Sequence, residues 1–244
     1  MQKDYKAELA YGLKKLNLQA DENQIKKFLL YMDCLLEYNQ RVNLTAIKDK
    51  SEIILKHFLD SVSVLCFIKI KKNFKVIDIG TGAGFPGIPI KILFPEIELT
   101  LLDATEKRIK FLSHLQNKLD LKKMNCINAR AEDFIKKTGE RESYDLCVSR
   151  AVAKLNILSE ICLPFVKLNG FFVAYKGPEI KDELLQAQTC IKKLGGGKIN
   201  IKEVNISDSE NKNFIRHNLV FISKLFQSNL KYPRDYAKIL KNPL

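Results

Sequence analysis

A glycine-rich loop near residue 80 has the composition of a site that binds a nucleotide-like ligand. It runs from Asp78 to Gly87 as Asp-Ile-Gly-Thr-Gly-Ala-Gly-Phe-Pro-Gly and follows a short β-branched run. Gly82, Gly84 and Gly87 fit the G-x-G-x-x-G pattern of dinucleotide sites. The overlapping pattern D-x-G-x-G-x-G, which begins at Asp78 and includes Gly80, is typical of methyltransferases. Glycine spacing alone does not separate the two, because both patterns need a strand, a loop and a helix in that order.

Acidic residues at three successive strand ends favour the methyltransferase pattern. Asp78 stands at the end of the first strand, where we expect its carboxylate to face the ligand. It would repel a pyrophosphate and attract the sulfonium and ammonium groups of S-adenosylmethionine. Asp103 ends the second strand and is placed to bind ribose hydroxyls through its two oxygens. After the third strand, an acid of the segment Ala131-Glu132-Asp133 can meet the adenine amino group. The sequence therefore predicts S-adenosylmethionine as the cofactor.

Motifs that other methyl transfers require do not occur in this sequence. Methylation of an exocyclic amine usually uses an N/D-P-P-Y/F motif, and none is present. Methylation of pyrimidine carbon 5 needs a cysteine nucleophile, generally preceded by proline. Cys162 instead lies before Leu163-Pro164 in an apolar segment and is better interpreted as a core residue. Neither device is needed to methylate an atom whose lone pair is available and that loses no proton, because positioning in line with the methyl group would then suffice.

The elements that must position these residues begin at Lys75, where short β-branched runs alternate with amphipathic segments. This alternation predicts an α/β fold with a mostly parallel sheet and helices on both faces. Together with the methyltransferase loop, it leads us to expect a Rossmann-like class I methyltransferase fold with about seven strands. The last two strands, GGGKINIKEVNI and RHNLVFISK, are expected to close the sheet edge as a hairpin. The first five strands are expected at 75–79, 98–103, 124–129, 144–149 and 170–176, and helices at 86–94, 104–120, 131–137, 153–167 and 179–194.

The N-terminal part of the chain has a helical pattern throughout. Apolar residues recur at helical spacing, Asp21 is a suitable N-cap, the segment 38–45 reads as a loop, and a further helix is expected from about 51 to 70. We therefore expect residues 1–70 to form a helical extension packed on the core, and residues 71–244 to form the S-adenosylmethionine-binding domain.

The charge balance points to a polyanionic partner. The net charge is +13, and 34 of the 41 basic residues are lysines. Because the whole chain is rich in Lys, Ile and Asn, we expect some of these lysines only to keep helix faces solvated. The seven arginines are more informative, because the guanidinium fork suits phosphates and base edges. Five of them lie in segments singled out on other grounds: Arg108, Arg130, Arg150, Arg216 and Arg234.

Nothing in the sequence predicts export, a membrane span or a metal site. The N-terminus is charged from its third residue, and the longest apolar stretch, 53–70, is interrupted by charged residues. The six cysteines and three histidines are scattered singly, as in the core of a reduced intracellular protein. We expect a cytoplasmic protein that acts as a monomer.

The motifs together resemble the RsmG (GidB) family. They are VIDIGTGAGFPGIPI, LTLLDATEKRIKFL, ARAEDF, SRAVA and AYKG, with YNQRVNLTAI and HFLDS upstream and YPRDYAKILKNPL at the C-terminus. The resemblance runs from about Tyr38 to the last residue, interrupted around 179–215. It departs from the family pattern in the tail, where Tyr236 stands at the family's glycine position and Ile239 at its proline position. It implies an N7-methyltransferase for a guanosine of 16S ribosomal RNA, in the helix 18 loop of the small subunit, with naked RNA or a subunit precursor as substrate.

The resemblance also implies roles for individual residues. Together with the loop argument, it gives a cofactor set of Asp78, Gly80, Gly82, Gly84, Phe85, Asp103, Ala131, Glu132 and Arg150. Polar residues around the reaction centre would be Asn43, Lys107, Arg130, Arg150, Lys176 and Arg216. Simpler interpretations stay open: Asn43 as a turn former, Lys107 as a solvated helix residue, Arg216 as an edge-strand charge, and His57 and Asp60 as a pair within the helices.

Two other functions remain compatible with the sequence. The chain could methylate a small molecule or a protein, with its basic surface a by-product of composition. It could also be a non-catalytic RNA-binding protein that retains the cofactor site.

Overall fold

The N-terminal helices form because acidic side chains cap them and apolar residues recur on one face. The computed structural model describes residues 3–150, 153–208 and 213–244. Helix α1 spans Tyr5–Lys15 and α2 spans Glu22–Asn39. Asp21 accepts a hydrogen bond from Gln24 N, and the Gln24 side chain accepts one from Asp21 N, which completes a capping box and confirms the predicted N-cap.

A third helical segment follows a loop and changes its helical type along its length. It consists of α3 (Lys50–Ile53), a π-helical turn (Ile54–Leu59), α4 (Asp60–Val62) and a 3-10 turn (Ser63–Cys66). π-Helical turns occur frequently at functional sites, because the wider turn re-aims side chains. His57 lies within this π-helical turn, and Asp60 begins α4 directly after it.

A seven-stranded sheet in the order β3-β2-β1-β4-β5-β7-β6 forms the centre of the molecule. The strands are β1 Lys75–Ile79, β2 Glu98–Asp103, β3 Met124–Asn128, β4 Tyr144–Arg150, β5 Val166–Lys176, β6 Gly196–Ser207 and β7 Phe214–Lys224. Strands β1 to β5 are parallel, whereas β7 pairs antiparallel with both β5 and β6. The predicted α/β sheet with a closing hairpin is confirmed.

The helices between the strands are close to the predicted segments, with one clear difference. They are α5 Gly87–Leu93, α6 Glu106–Lys118, α7 Ala131–Thr138, α8 Leu155–Cys162, α9 Lys181–Lys193 and, in the tail, α10 Tyr236–Lys241. The prediction of a helix to residue 167 is wrong, because α8 ends at Cys162 and a 3-10 turn, Leu163–Phe165, leads into β5. Pro164 has no N–H group for the α-helical ladder, so the helix ends before it.

Each face of the sheet carries its own apolar core. Side chains alternate along a strand, so Val76 faces one core and Ile77 and Ile79 face the other. The first core includes the N-terminal helices, with Phe28 and Phe58 fully buried in it. The second core is formed with α8, α9 and the C-terminal tail. The N-terminal helices are therefore packed directly on the sheet.

Strand order reverses between β1 and β4, and this sets the position of the site. In open α/β sheets a crevice forms at the carboxyl ends of the strands at such a reversal. The glycine loop after β1 and Arg150 at the end of β4 flank this crevice. Within the described ranges, no helix combines the length and apolar character needed to cross a membrane.

Candidate active site

A cavity of about 470 Å³ opens at the carboxyl ends of β1 to β4. Its size is that of a small-molecule or cofactor site. Contributions come from the loop after β1, the end of β2, the start of α7, the end of β4, the N-terminal helical segment and the tail helix. Its walls are Leu44, Thr45, His57, Ile79, Gly80, Thr81, Gly82, Ala83, Phe85, Leu102, Asp103, Ala104, Thr105, Arg108, Ala129, Arg130, Ala131, Glu132, Arg150, Ile161 and Tyr236. We call this space the cofactor cavity.

Two glycines of the loop have different structural roles, although both have positive φ angles. Gly82 has φ +61° and lines the cavity, and a Cβ atom added there would meet nothing within 4 Å. Gly84 has φ +104°, and a Cβ atom would come within 2.7 Å of Ile88 and 2.8 Å of the Tyr31 hydroxyl. Gly82 therefore leaves space for a ligand, whereas Gly84 lets the loop pack against α2 and α5.

Asp78 does not face the cavity, which corrects the expectation that its carboxylate meets the ligand. It points to the face of β1 opposite Ile77 and Ile79, is fully buried, and its Oδ2 accepts hydrogen bonds from Thr81 Oγ1 at 2.7 Å and Gly87 N at 2.8 Å. Burial raises its pKa to about 7. Within the described part of the chain its Oδ1 has no hydrogen-bond partner. Asp78 therefore holds the loop in shape from behind.

Asp103 does line the cavity, at the place where a ribose-binding acid was predicted. Its Oδ2 accepts from Gly82 N at 3.0 Å and its Oδ1 from Thr105 N at 2.8 Å. The Arg108 guanidinium lies 3.2 Å from Oδ2. These contacts fix the carboxylate at the rim, and two oxygens with about four lone-pair directions retain the capacity to accept from a ligand.

The start of α7 forms the end of the cavity farther along the sheet. Ala131 and Glu132 are its first residues, both are buried, and both line the cavity. Arg130 precedes them, and its guanidinium lies 5.4 Å from the centre of the Tyr236 ring. A carboxylate and an aromatic ring thus meet at this end.

Arg150 is the centre of a buried polar cluster at the opposite end. Its Nη1 donates to Asp60 Oδ2 at 2.6 Å and to the Lys56 carbonyl at 3.1 Å, and its Nη2 lies 3.4 Å from His57 Nδ1. The guanidinium also lies 5.1 Å from the centre of the Phe85 ring. Because Asp60 and Arg150 are both largely buried, this ion pair fixes the arginine in one position.

His57 is neutral and both of its ring nitrogens are engaged. Burial, assisted by the Arg150 guanidinium, lowers its pKa to about 4. Arginine has no acceptor, so Nδ1 accepts and Nε2 carries the proton, which it donates to Thr45 Oγ1 at 2.8 Å. The imidazole stacks on Phe85, with ring centres 4.5 Å apart. His57 therefore positions Phe85 and Arg150.

Asp60 stays ionised because two groups offset the effect of its burial. Burial alone would raise its pKa, but the contact with His217 and the Arg150 guanidinium outweigh it and lower the pKa. His217 Nδ1 lies 3.0 Å from Asp60 Oδ1, although its N–H is not aimed at the oxygen, and the ring stacks on Tyr175. The cluster thus extends from the helical segment to β7.

A second cavity of about 410 Å³ lies beside the first, at the ends of β4 and β5. Its walls are Asp60, Arg150, Tyr175, Lys176, Gly177, Pro178, Glu179, Glu183 and His217. Lys176 Nζ contacts Glu183 Oε2 at 2.6 Å and donates to the Ala153 carbonyl at 2.9 Å. Arg150 lines both cavities, so it stands at their junction. We call this space the acceptor cavity.

The structure brings together only part of the predicted reaction-centre set. Arg130, Arg150 and Lys176 line one cavity or the other, whereas Asn43, Lys107 and Arg216 are exposed and line neither. Arg216 instead pairs with Glu203 on the neighbouring strand, at 3.2 Å. Of the predicted cofactor set, Asp78 and Gly84 lie behind the loop. Ala151 and Val152, which belong to the SRAVA motif, lie outside the described residues.

Several residues of the site were not predicted from the sequence. Thr45, His57, Asp60, His217 and Tyr236 all contribute. All but His217 lie in the motifs quoted above, where His57 and Asp60 were interpreted only as a pair within the helices. His57 and Asp60 are three residues apart in a helical segment, a spacing that places both side chains on one face and could have indicated a shared role. No sequence signal marks His217, because its position beside Asp60 depends on the pairing of β7 with β5.

Comparison with known proteins shows how this arrangement is classified. A family model described as "GidB: rRNA small subunit methyltransferase G" matches residues 24–214. The chain is 48% identical over 236 residues to "Ribosomal RNA small subunit methyltransferase G" of Acetivibrio thermocellus, covering 97% of this chain and 95% of that protein. It is 44% identical over 233 residues to the protein of that name from Alkaliphilus metalliredigens, covering 96% of each.

A solved structure shows the same fold at low sequence identity. A SAM-dependent O-methyltransferase from Thermotoga maritima superposes with a TM-score of 0.52 at 13% identity, covering 80% of this chain and 72% of that one. At this identity the likeness concerns the fold alone, which is that of the Rossmann-like methyltransferases. The family model matches most of the chain and the relatives cover nearly all of it, and together they show that the chain belongs to the GidB family of rRNA small subunit methyltransferases.

Proposed function

We propose that this chain transfers a methyl group from S-adenosylmethionine to N7 of a guanosine in 16S ribosomal RNA, in the helix 18 loop of the small subunit. Membership of the GidB family and the names of the relatives support methylation of ribosomal RNA. The observation that carries the finer proposal is the position of Arg150, which lines both the cofactor cavity and the acceptor cavity. We further propose that the chain acts as a monomer in the cytoplasm.

The residues of the cofactor cavity fit S-adenosylmethionine. This cofactor supplies a methyl group on a positively charged sulfur. Gly82 leaves open space beside the loop, and Asp103 offers carboxylate oxygens where ribose hydroxyls would lie. Glu132 places a further carboxylate at the far end, where it suits the adenine amino group. This set of residues is explained without the phosphate site at a helix start that a dinucleotide would require.

Arg150 has donors to spare for a ligand. A guanidinium carries five N–H donors, and the contacts with Lys56, His57 and Asp60 use Nη1 and Nη2 positions only. Its remaining donors suit the O6 edge of guanine, while N7 stays free to attack. On the other wall, the Glu183 carboxylate, held by Lys176, suits the N1–H and amino group of the same base. The acceptor cavity therefore offers groups for both edges of guanine.

The proposed reaction requires this chain to position the two substrates and does not require it to transfer a proton. His57 is neutral with both ring nitrogens engaged, and Asp60 is ionised against Arg150, so these side chains hold the junction rigid. None of the six cysteines, all within the described ranges, lines either cavity. Methylation of guanine N7 fits such a site, because the nitrogen lone pair attacks without losing a proton.

We also propose that the basic surface binds the RNA backbone and that residues 1–70 act as an extension completing the site. A net charge of +13 favours a polyanion. If lysines and arginines contact phosphates, the affinity for small-subunit RNA falls log-linearly with salt concentration. A filter-binding series at increasing salt measures this slope. Binding that stays flat across the series would favour a small-molecule or protein substrate.

A transfer assay tests the proposed function against its alternatives. Purified chain is incubated with methyl-labelled S-adenosylmethionine and with small-subunit particles, deproteinised 16S RNA, or a cell extract freed of RNA. We expect label in the 16S RNA of one or both of the first two. Label confined to the protein or small-molecule fraction of the extract would show a different substrate class. S-adenosylmethionine binding without transfer to any fraction would favour a non-catalytic RNA-binding protein.

A further inference from the structure

The C-terminal tail, which nothing above assigns a function, forms part of the cofactor cavity. We infer that Tyr236, presented by the tail helix α10, is a binding residue for the adenine ring of the cofactor. This inference rests on the proposed function, because it takes S-adenosylmethionine as the ligand. Tyr236 lines the cofactor cavity at the end where Arg130, Ala131 and Glu132 lie.

The tail is fixed to the body of the protein by a buried ion pair. Arg234 donates from Nε to Glu160 Oε1 at 2.7 Å and from Nη2 to Oε2 at 2.6 Å, and its backbone N–H donates to the same carboxylate at 3.0 Å. The Glu160 side chain, on α8, is fully buried. This bidentate geometry fixes both distance and angle. The residue two positions before Tyr236 is therefore held in one place.

Further contacts fix the tail helix on both sides of Tyr236. Arg234 Nη2 also donates to the Asn242 carbonyl at 3.0 Å, at the far end of the helix. Ile239 is fully buried in the second core, and Lys136 of α7 pairs with Asp235 at 2.8 Å. These contacts tie α10 to α7 and α8, the two helices that bound the same end of the cavity, so the backbone that carries Tyr236 is held in place at the cavity wall.

The surroundings of the ring suit adenine. Arg130 lies 5.4 Å from its centre, and Ile161 of α8 adds an apolar surface to the wall. The buried Glu132 at the start of α7 offers an acceptor for an exocyclic amino group. An aromatic surface, an apolar side chain and a nearby carboxylate together match a flat base that carries one amino group.

Calorimetric binding of two ligands tests the assignment. S-adenosylhomocysteine contains the whole cofactor skeleton except the methyl group, and 5′-methylthioadenosine contains only its adenosine thioether part. The variants are Tyr236→Ala, Tyr236→Phe, and the matched control Leu240→Ala, which truncates an exposed side chain on the same helix outside the cavity. Arg234→Lys keeps the charge and loses the fork that holds Glu160. Thermal melting of each variant reports any loss of stability separately.

For Tyr236→Ala we expect binding of both ligands to weaken by about tenfold, in the range for a base stacked on an aromatic side chain. Tyr236→Phe is expected to stay within about twofold of the wild type, because it keeps the ring, and Leu240→Ala is expected to bind normally. Arg234→Lys is expected to weaken both ligands although Tyr236 is unchanged.

Three results would overturn the inference while leaving the proposed function standing. These are unchanged binding in Tyr236→Ala, a loss that affects S-adenosylhomocysteine but not 5′-methylthioadenosine, and a Tyr236→Phe variant as weak as Tyr236→Ala. If the wild-type chain itself binds neither ligand, the proposed cofactor is wrong and the inference fails with it.

Discussion

The β1–β3 side of the cofactor cavity and the Arg150 side are assembled from chain segments at very different separations. On the first side, Asp103 accepts a hydrogen bond from Gly82 N, 21 residues away, and another from Thr105 N, two residues away. On the second side, Arg150 contacts Lys56, His57 and Asp60, which are 90 to 94 residues away in the chain. The first side is shaped by backbone groups, the second by a buried cluster of side chains.

Under the proposed function, this difference separates the residues that would bind the cofactor from those that would join it to the methyl acceptor. The geometry of the loop side depends on glycine conformation and on the ends of the strands. Both are in place whenever the sheet is folded. The Arg150 side needs the N-terminal helical segment to be packed on the sheet, because Asp60 and His57 come from it. We therefore expect variants on the loop side to affect ligand binding, and variants on the Arg150 side to affect methyl transfer more than binding.

The largest expected effect is on the loop side, in Gly82→Val. A β-branched side chain would fill the open space at the cavity wall, so we expect binding of S-adenosylhomocysteine to fall below detection by calorimetry. Gly139→Val is a matched control. Gly139 also has a positive φ angle, +68°, and open space around its Cβ position, but it lines neither cavity. If both variants lose binding equally, the loss comes from backbone strain at a position with positive φ, and the space that Gly82 leaves for the ligand is not its cause.

On the Arg150 side, we expect Arg150→Ala to slow methyl transfer by at least about a hundredfold, roughly 3 kcal/mol of transition-state stabilisation. Arg150→Lys is expected to recover little of this, because it keeps the charge and loses the planar fork. Arg150→Ala also leaves the buried Asp60 without its arginine partner, so a lower melting temperature is expected, and methyl transfer is measured well below that temperature. Single-turnover rates and S-adenosylhomocysteine affinity are measured together. A loss confined to affinity would remove the distinction between the two sides.

The same contrast explains how much could be predicted from the sequence. The strands, the glycine loop and the acids at 103 and 132 are local features, and their positions follow from strand periodicity and from the rule that parallel strands end at one edge. The direction of Asp78 was not predictable, because it depends on which face of β1 each core occupies. The partners of Arg150 come from segments far away in the chain, so the sequence alone did not identify them. The position of His217 beside Asp60 depends on the register of β7 against β5, which is known only once the sheet is folded.

A smaller effect tests the indirect role given to Asp78. Because its folded-state pKa is raised from near 4 to about 7, it favours folding when protonated, and this contribution is lost as the pH rises through that window. Asp78→Asn keeps an oxygen for Thr81 and Gly87 and does not titrate. We expect wild-type stability to fall relative to Asp78→Asn between about pH 4 and 7, measured by urea unfolding, by at most a few kcal/mol. A difference independent of pH would contradict this account, and Asp133→Asn, at an exposed position, serves as the control.

We propose that the two cavities joined at Arg150 deliver a methyl group to guanine N7 of small-subunit RNA. The most direct test is mass spectrometry of 16S RNA from a strain that lacks this protein, before and after treatment with the purified chain and S-adenosylmethionine. Digestion to nucleosides identifies the methylated base, and digestion with a base-specific ribonuclease locates it. We predict that 7-methylguanosine appears at one position in the helix 18 loop, and that Arg150→Ala fails to produce it. A methyl group on another atom or another nucleoside, or full 7-methylguanosine formation by Arg150→Ala, would contradict it.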